Sequence, residues 1–430
     1  MKIHTMDHKF SGYKCSLCDQ SYAPGEVTYT CPRDGGNLDI LLDYQALRKT
    51  PAEKLIQSAE QSLWRYLPLL PVGEPGGRQT PLRAAGGTPV FKAERLAQRL
   101  GMSHLWVKDE SRNPTASFKD RASAVVVARA GEIGADIVVT ASTGNAGAAL
   151  AGMAAALGQK AVIFAPRSAP PAKVAQLLIF GARVLLVEGT YDDAFDLTIR
   201  AAEEFGWYCR NTGYNPFTAE GKKTAAFEIW EWALRIVGES REPNLDAGAE
   251  FLSRLSVFVS VGDGNIISGI HKGFKDLQAL GWIERLPRLF GVQAEGSAAI
   301  ANAFNAGTEN IAAVSASTLA DSISVDQPRD GVRAIRAARE TGGDYILVSD
   351  QDILASIAEL GSVGIFAEPA GAASYAGLVA ALMAGLIDPH EAVLVINTGS
   401  GLKDIRAAMT AASQADVIEP TLEAVKRVLE

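Results

Sequence analysis

The sequence predicts an α/β protein whose core is built from mostly parallel sheets covered by helices on both faces. Short runs rich in β-branched and other apolar residues alternate with longer helix-like stretches between residues 105 and 397. The chain has 430 residues, of which 47% are hydrophobic and 21% are charged, so it is long enough for two or three domains with full cores. The predicted strands are Leu105–Lys108, Ile137–Thr140, Ala161–Ala165, Val184–Val187, Ser256–Val261, Leu289–Gln293, Ile346–Val348 and Val393–Asn397.

A small N-terminal module is predicted at residues 1–43. Two cysteines separated by two residues are followed, after twelve residues, by a third cysteine and then by an aspartate. This is the knuckle spacing of a zinc ribbon, with a carboxylate in place of the fourth thiolate. The pattern predicts a structural zinc, and a degenerate ribbon that folds without metal is the alternative. The predicted ligands are Cys15, Cys18, Cys31 and Asp34, with His4 and His8 as substitutes for Asp34.

The rest of the chain, residues 44–430, is predicted to form the catalytic core. Its first part, up to about residue 88, is expected to be a connecting arm, because Gly73–Gly77 and Gly86–Pro89 are chain breakers. Trp64 and Tyr66 in this arm are expected to dock on the core. Apolar residues at helical spacing predict a surface helix at Pro420–Leu429.

The composition excludes several classes of partner. The net charge of −8 and the lack of a long basic run argue against nucleic acid or an anionic membrane. Two uncharged segments, Thr140–Gln159 and Pro369–Ile387, are rich in small residues and therefore favour buried helices over membrane spans. Because Met1–Asp7 contains no apolar signal core and the chain has only four cysteines, a cytoplasmic protein is expected.

Lys119 is the first candidate catalytic residue, and it lies in the stretch Ser117–Arg121. A lysine in an enzyme core can form a Schiff base with an aldehyde, and burial lowers its pKa so that the free amine can attack or accept a proton. Taken alone, the stretch favours a surface lysine in a polar loop. Three glycine-bearing turns later in the chain make a catalytic Lys119 the better interpretation.

Each of these turns follows a predicted strand, and the first two open a helix. Free N–H groups at a helix N-terminus bind anions, and glycines let the backbone approach a phosphate. The second turn does not fit the dinucleotide-binding pattern, because Ile267 occupies the position of its last glycine. The alternatives are that Ser142 or Thr143 caps the first helix, and that the third turn holds no ligand. The turns are Ser142–Gly147, Val261–Asn265 and Asn397–Asp404.

Taken in chain order, the stretch Ser117–Arg121 and the three turns resemble the cofactor site of pyridoxal-phosphate enzymes of the tryptophan-synthase-β type, or fold type II. They most closely resemble the site of the threonine synthases. The resemblance implies a two-domain α/β core with a smaller subdomain at about residues 120–212. It implies that pyridoxal 5'-phosphate is carried as a Schiff base by Lys119, which also acts as general base. It implies that Asn145 contacts the ring oxygen, that Thr398 hydrogen-bonds to the ring nitrogen and that Glu368–Ala372 lies near the ring. The residues that the resemblance implies around the phosphate are Gly262, Asp263, Gly264, Asn265 and Ile266.

The same resemblance implies a homodimer that converts O-phospho-L-homoserine and water to L-threonine and phosphate by γ-elimination and β-addition of water. Many threonine synthases carry an arginine that grips the substrate phosphate in the region where Thr218 stands here. Threonine cannot supply the paired N–H donors of a guanidinium, and Lys222 or Lys223 is the candidate to compensate. A threonine or serine ammonia-lyase, or a phosphoserine β-replacing enzyme, is therefore an alternative, and a non-catalytic binding or regulatory protein is an alternative of another class. The candidate substrate-binding residues are Ser142, Thr143, Asn215, Lys222 and Lys223.

Overall fold

The computed structural model describes residues 9–238 and 243–429, so His4 and His8 lie outside the described part. The strands are β1 Phe10–Cys15, β2 Ser21–Tyr22, β3 Leu38–Leu42, β4 Val90–Lys92, β5 His104–Asp109, β6 Ile137–Ala141, β7 Lys160–Pro166, β8 Arg183–Val187, β9 Tyr208–Cys209, β10 Leu255–Ser260, β11 Arg288–Ala294, β12 Tyr345–Val348 and β13 Ala392–Asn397.

The α-helices alternate with these strands over most of the core. They are α1 Tyr44–Leu47, α2 Ala52–Ile56, α3 Glu94–Leu100, α4 Lys119–Glu132, α5 Asn145–Leu157, α6 Pro171–Ile179, α7 Tyr191–Phe205, α8 Phe217–Ile236, α9 Leu245–Ser253, α10 Asn265–Leu280, α11 Ala299–Asn305, α12 Gly331–Thr341, α13 Asp350–Gly361, α14 Pro369–Met383, α15 Ile405–Ala411 and α16 Leu422–Leu429. Short 3-10 helices occur at Leu63–Leu69, Pro81–Ala84, Glu110–Arg112, Glu295–Ser297, Asp321–Ile323 and Gly401–Lys403. Within the described part of the chain, we find no helix with both the length and the apolar character that a membrane span requires.

The larger sheet has the strand order β12-β11-β10-β13-β5-β4. Its neighbours are parallel except for β4, which runs antiparallel to β5 at the edge. The eight strands predicted from the sequence are confirmed to within a residue at each end. The sequence analysis missed β4 because its three residues are partly or fully exposed and carry no apolar pattern.

The smaller sheet has the strand order β8-β7-β6-β9, and its neighbours are parallel. Its strands lie between Ile137 and Cys209. The sequence analysis missed β9 because a strand of two residues is too short to show a period. The boundary of the smaller subdomain, at about residues 120–212, stays a prediction.

The two uncharged segments form α5 and α14, and most residues of both helices are buried. Helix α5 packs on α4 and on strands β6 and β7, whereas α14 packs on β10, β12 and β13. The prediction that these segments are buried helices is therefore confirmed. Alanine and glycine suit this role because small side chains let helices approach a sheet closely.

The N-terminal module is a small antiparallel sheet in the order β2-β1-β3. The arm that follows docks on the core as predicted, because Trp64 and Tyr66 are buried. The Trp64 indole N–H donates to the Leu82 carbonyl at 2.9 Å, and the Tyr66 hydroxyl donates to Glu231 at 2.6 Å. At the other end, α16 is mostly exposed, which confirms the predicted surface helix.

Helices α4, α8 and α10 form a closely packed layer that carries much of the site described below. A Cβ atom added to Gly273 of α10 would lie 2.4 Å from the backbone carbonyl oxygen of Lys223 in α8. A Cβ atom added to Gly221 of α8 would lie 2.0 Å from the carbonyl oxygen of Arg121 in α4. Glycine is therefore required at both contacts, and it lets the three helix backbones approach each other.

We expect Gly273→Ala to lower the free energy of unfolding by about 1–3 kcal/mol, because the added methyl group must push two helices apart. The control is Gly131→Ala in α4, where an added Cβ meets nothing within 4 Å. There alanine should leave stability unchanged or raise it slightly, since it is the better helix former. Urea unfolding of the three proteins measures both effects, and equal effects of the two substitutions would contradict the close packing.

Candidate functional site

Backbone hydrogen bonds bring three of the predicted segments together. The Phe118 N–H donates to the carbonyl of Thr398, at 2.9 Å, so the segment before Lys119 is held by the turn after β13. The same turn holds the start of α14, because the Glu368 N–H donates to the Gly399 carbonyl at 3.0 Å. The carboxyl end of β13 therefore positions both neighbouring segments.

A buried ion cluster fixes the first turn of α4. The Arg121 guanidinium donates to Glu110 at 2.7 and 2.8 Å and to Glu228 at 2.7 Å. The Lys108 ammonium donates to Glu228 at 2.7 Å. Burial alone would lower the pKa of Arg121, but the two carboxylates outweigh it and raise that pKa. The cluster thus ties the helix that carries Lys119 to α8 and to the end of β5.

Lys119 is the first residue of α4. Across residues 9–238 and 243–429 we find no hydrogen-bond or ion-pair partner for its amino group. Burial lowers its pKa, and the positive charge of Arg210 lowers it further. A lysine with a lowered pKa can present a neutral amine, which attack on an aldehyde and acceptance of a proton both require.

Asn145 is the first residue of α5, and its side-chain amide donates to the Glu368 carboxylate at 2.8 and 3.0 Å. The alternative that Ser142 or Thr143 caps this helix is wrong, because the N-cap is Gly144 and no side chain bonds to the first turn. Glycine has no side chain with which to cap. The amide groups at the start of α5 therefore have no side-chain acceptor within the turn, as an anion site requires.

The turn after β10 leads directly into α10, whose first residues are Asn265 and Ile266. No side chain caps this helix. Gly264 has a φ of 90°, and an added Cβ would lie 2.6 Å from the carbonyl oxygen of Asp330. Only glycine fits there, and the turn leaves backbone N–H groups available at a helix start.

Lys222 brings a basic side chain to this turn. Its ammonium is fully buried and donates to the side-chain oxygen of Asn265. Among the described residues, no carboxylate forms an ion pair with it, and burial lowers its pKa. Asp263 directs a carboxylate oxygen to the Arg329 N–H, at 3.3 Å. A buried amino group beside free amides and a glycine turn fits a phosphate group, because the negative charge of the phosphate favours the protonated form of the lysine.

Lys223 and Asn215, two of the predicted substrate-binding residues, have other partners. Lys223 forms ion pairs with Glu220 and with Asp276, the latter at 2.7 Å, so its charge is already compensated. The Asn215 amide donates to the carbonyl of Cys209 at 2.8 Å and braces the turn between β9 and α8. Neither residue is therefore among those that we assign to the substrate.

A cavity at the site is lined by residues from several of these segments, including Thr143, Asn145, Lys173, Ser322, Glu368 and Lys403. Thr398, at the end of β13, is 6% exposed. The sequence analysis missed Lys173 of α6 and Arg210, which follows β9. Neither residue lies in a glycine-bearing turn, so no pattern in the sequence pointed to them.

The N-terminal ribbon brings its four predicted ligands together. One ligand atom from each of Cys15, Cys18, Cys31 and Asp34 lies within 4.8 Å of the others. The Gly36 N–H donates to the Asp34 carboxylate at 2.9 Å and orients it. Three thiols and a carboxylate at this spacing could hold one zinc ion.

The ribbon also contacts the turn at the start of α10. Asp39 of the ribbon accepts from Arg333 at 2.7 Å. Arg333 in turn pairs with Asp330 at 2.6 Å, and Asp330 accepts from the Asn265 amide at 2.6 Å. The side chain of Asn37 donates to the Arg329 carbonyl at 3.0 Å. The ribbon therefore supports the residues that hold this turn.

Comparison with known proteins gives a consistent picture. Residues 82–399 match the family model described as pyridoxal-phosphate dependent enzyme. A threonine synthase from Methanocaldococcus jannaschii is 36% identical over 97% of this chain and 99% of its own length. A threonine synthase from Methanosarcina acetivorans is 37% identical over 97% of this chain and 98% of its own length.

Solved structures show the same fold. The processed form of threonine deaminase isoform 2 from Solanum lycopersicum has a TM-score of 0.64 at 23% identity, covering 83% of this chain and 94% of that one. A diaminopropionate ammonia lyase from Escherichia coli has a TM-score of 0.62 at 21% identity, covering 75% of this chain and 86% of that one. At these identities the likeness concerns the fold alone.

We expect about one zinc per chain in protein purified without chelators, because the ribbon supplies four ligands. Elemental analysis measures this content. Cys18→Ser should reduce it to near zero, whereas the control Cys209→Ser, in the smaller sheet, should leave it unchanged. Wild-type protein that takes up no zinc even when zinc is supplied would instead identify a degenerate ribbon.

Proposed function

The chain belongs to the pyridoxal-phosphate-dependent enzymes and, within them, to the threonine synthases, and we propose that it converts O-phospho-L-homoserine and water to L-threonine and phosphate. The observation that carries this proposal is the amino group of Lys119, which has no partner among the described residues and lies where the predicted segments meet. We further propose a homodimer, as the resemblance implies, and a cytoplasmic location, which the low cysteine content supports.

The residues of the site fit pyridoxal phosphate. Lys119 would hold it through its amino group, and Lys222 and the turn Gly262–Ile266 would hold its phosphate. Asn145 would contact the ring oxygen, and Thr398 would bond to the ring nitrogen. When bound, the group supplies an electron sink for the negative charge left when a proton leaves the carbon beside the substrate's amino group.

Lys119 performs the proton transfers in this scheme. Its lowered pKa lets the neutral amine take a proton from the α-carbon of the substrate and, once it has passed that proton on, a second proton from the β-carbon. Phosphate leaves from the γ-carbon, and water adds its hydroxyl at the β-carbon and gives its remaining proton to the phosphate. The two protons taken from the substrate are balanced by protonation of the γ-carbon and of the α-carbon. The uncapped start of α5, with Ser142 and Thr143, would bind the substrate carboxylate.

Thr398 shapes the chemistry through its lack of charge. A neutral hydroxyl does not keep the ring nitrogen protonated as a carboxylate would. The weaker electron sink favours elimination and replacement over transamination. This preference agrees with a reaction that removes phosphate and adds water.

A threonine or serine ammonia-lyase is the second candidate, and Thr218 is the observation that favours it. Thr218 is fully buried, its hydroxyl donates to the Asn215 carbonyl at 2.7 Å, and its oxygen lies 3.2 Å from the side-chain oxygen of Asn265. This residue therefore offers no guanidinium to a substrate phosphate. An ammonia-lyase needs no such contact.

The proposed function is tested by incubating cofactor-loaded enzyme with O-phospho-L-homoserine and measuring amino acids and released phosphate. We expect threonine and phosphate in equal amounts, and neither product from Lys119→Ala, which lacks the base. If a yellow wild-type protein makes no threonine but releases ammonia from threonine or serine, the ammonia-lyase is correct and the synthase assignment is wrong.

A further inference from the structure

Arg210 is a buried cation without an anionic partner. It is fully buried, and among the described residues no carboxylate forms an ion pair with it. The buried arginines Arg121 and Arg333, in contrast, each pair with carboxylates at 2.6–2.7 Å. Asp263 and Asp120 attract its charge from a longer distance, but neither forms an ion pair with it. A guanidinium removed from water without a directly paired counter-charge is costly, so Arg210 can accept an anionic partner.

Two of the guanidinium nitrogens of Arg210 donate hydrogen bonds, and one has no acceptor among the described residues. Its Nε donates to the Ser123 hydroxyl at 3.2 Å, and its Nη1 donates to the Thr212 hydroxyl at 2.6 Å. Its Nη2 is buried and has no hydrogen-bond partner among the described residues. Burial lowers the pKa of Arg210 to about 10, so the side chain remains charged at neutral pH.

Arg210 contacts the helix that carries Lys119, and its positive charge lowers the pKa of Lys119. Ser123 lies four residues after Lys119 on α4, and residues at this spacing share a helix face. The Arg210 N–H donates to the carbonyl of Val139, at 2.7 Å, so the residue lies beside the middle of β6, two residues before the end of that strand. That strand leads into the turn that begins at Ser142.

The proposed reaction requires two phosphates, one on the cofactor and one on the substrate. Besides Lys119, the described part of the site contains two buried basic side chains without a carboxylate partner, Lys222 and Arg210. Lys222 touches Asn265 at the start of α10, which assigns it to the cofactor phosphate. Arg210 touches the helix of Lys119 and the loop after β9 instead.

We propose that Arg210 binds the phosphate of O-phospho-L-homoserine and supplies the fork that Thr218 lacks. Its free Nη2 and its Nη1 present a pair of N–H donors, which suits a tetrahedral dianion. The inference rests on the proposed function, since it names a residue that selects a phosphorylated substrate. It makes Arg210 a specificity-determining residue that the sequence analysis did not identify.

The test uses Arg210→Met, which removes the charge, and Arg210→Lys, which keeps a point charge but not the fork. The control is Arg167→Met, because Arg167 follows β7 of the same sheet but is exposed and pairs with Glu188. Three quantities are measured: the Kd of pyridoxal phosphate by absorbance titration, the Kd of inorganic phosphate for the loaded enzyme by calorimetry, and KM and kcat for the substrate.

We expect Arg210→Met to raise both the KM of the substrate and the Kd of inorganic phosphate by about 100-fold. Arg210→Lys should raise both values by a smaller factor, and Arg167→Met should leave both at their wild-type values. The Kd of pyridoxal phosphate should change less than about threefold.

A fall in cofactor affinity with unchanged binding of inorganic phosphate would overturn the proposal and assign Arg210 to the cofactor. Unchanged values in a folded Arg210→Lys would also overturn it. A wild-type enzyme that makes no threonine would instead refute the proposed function itself.

Discussion

The buried ion cluster around Arg121 is the interaction on which the site depends. Arg121 lies two residues after Lys119 and joins Glu110, after β5, to Glu228 of α8. Because all three charges are almost fully buried, losing any one of them would leave another uncompensated, at a cost of several kcal/mol. The cluster therefore holds the start of α4 in one orientation, and with it the amino group of Lys119.

Basic side chains that have carboxylate partners belong to the structural framework, whereas those that lack such partners lie at the candidate site. Arg121 and Lys223 have carboxylate partners in the folded chain and need no ligand. Lys119, Lys222 and Arg210 lack such partners among the described residues, and they lie near the uncapped starts of α4, α5 and α10. A ligand that carries phosphate and carboxylate groups supplies the charge that this region lacks.

Much of the fold could be predicted because strands buried in a parallel sheet are short apolar runs separated by helices. β4 and β9 were missed because one is exposed and the other has two residues. Most residues of the candidate site were predicted from the glycine-bearing turns, because a turn that requires glycine can be recognised in the sequence. Lys222 and Lys223 could not be told apart, because adjacent helical residues point about 100° apart and only the packing decides which of them faces the turn.

The central claim is that Lys119 holds the cofactor. Treating the yellow, cofactor-loaded protein with sodium borohydride and mapping its peptides by mass spectrometry tests this claim directly. We predict one phosphopyridoxyl group per chain, on the peptide that contains Lys119. A group attached to Lys222 or Lys403, or no attached group after complete loss of colour, would contradict the account.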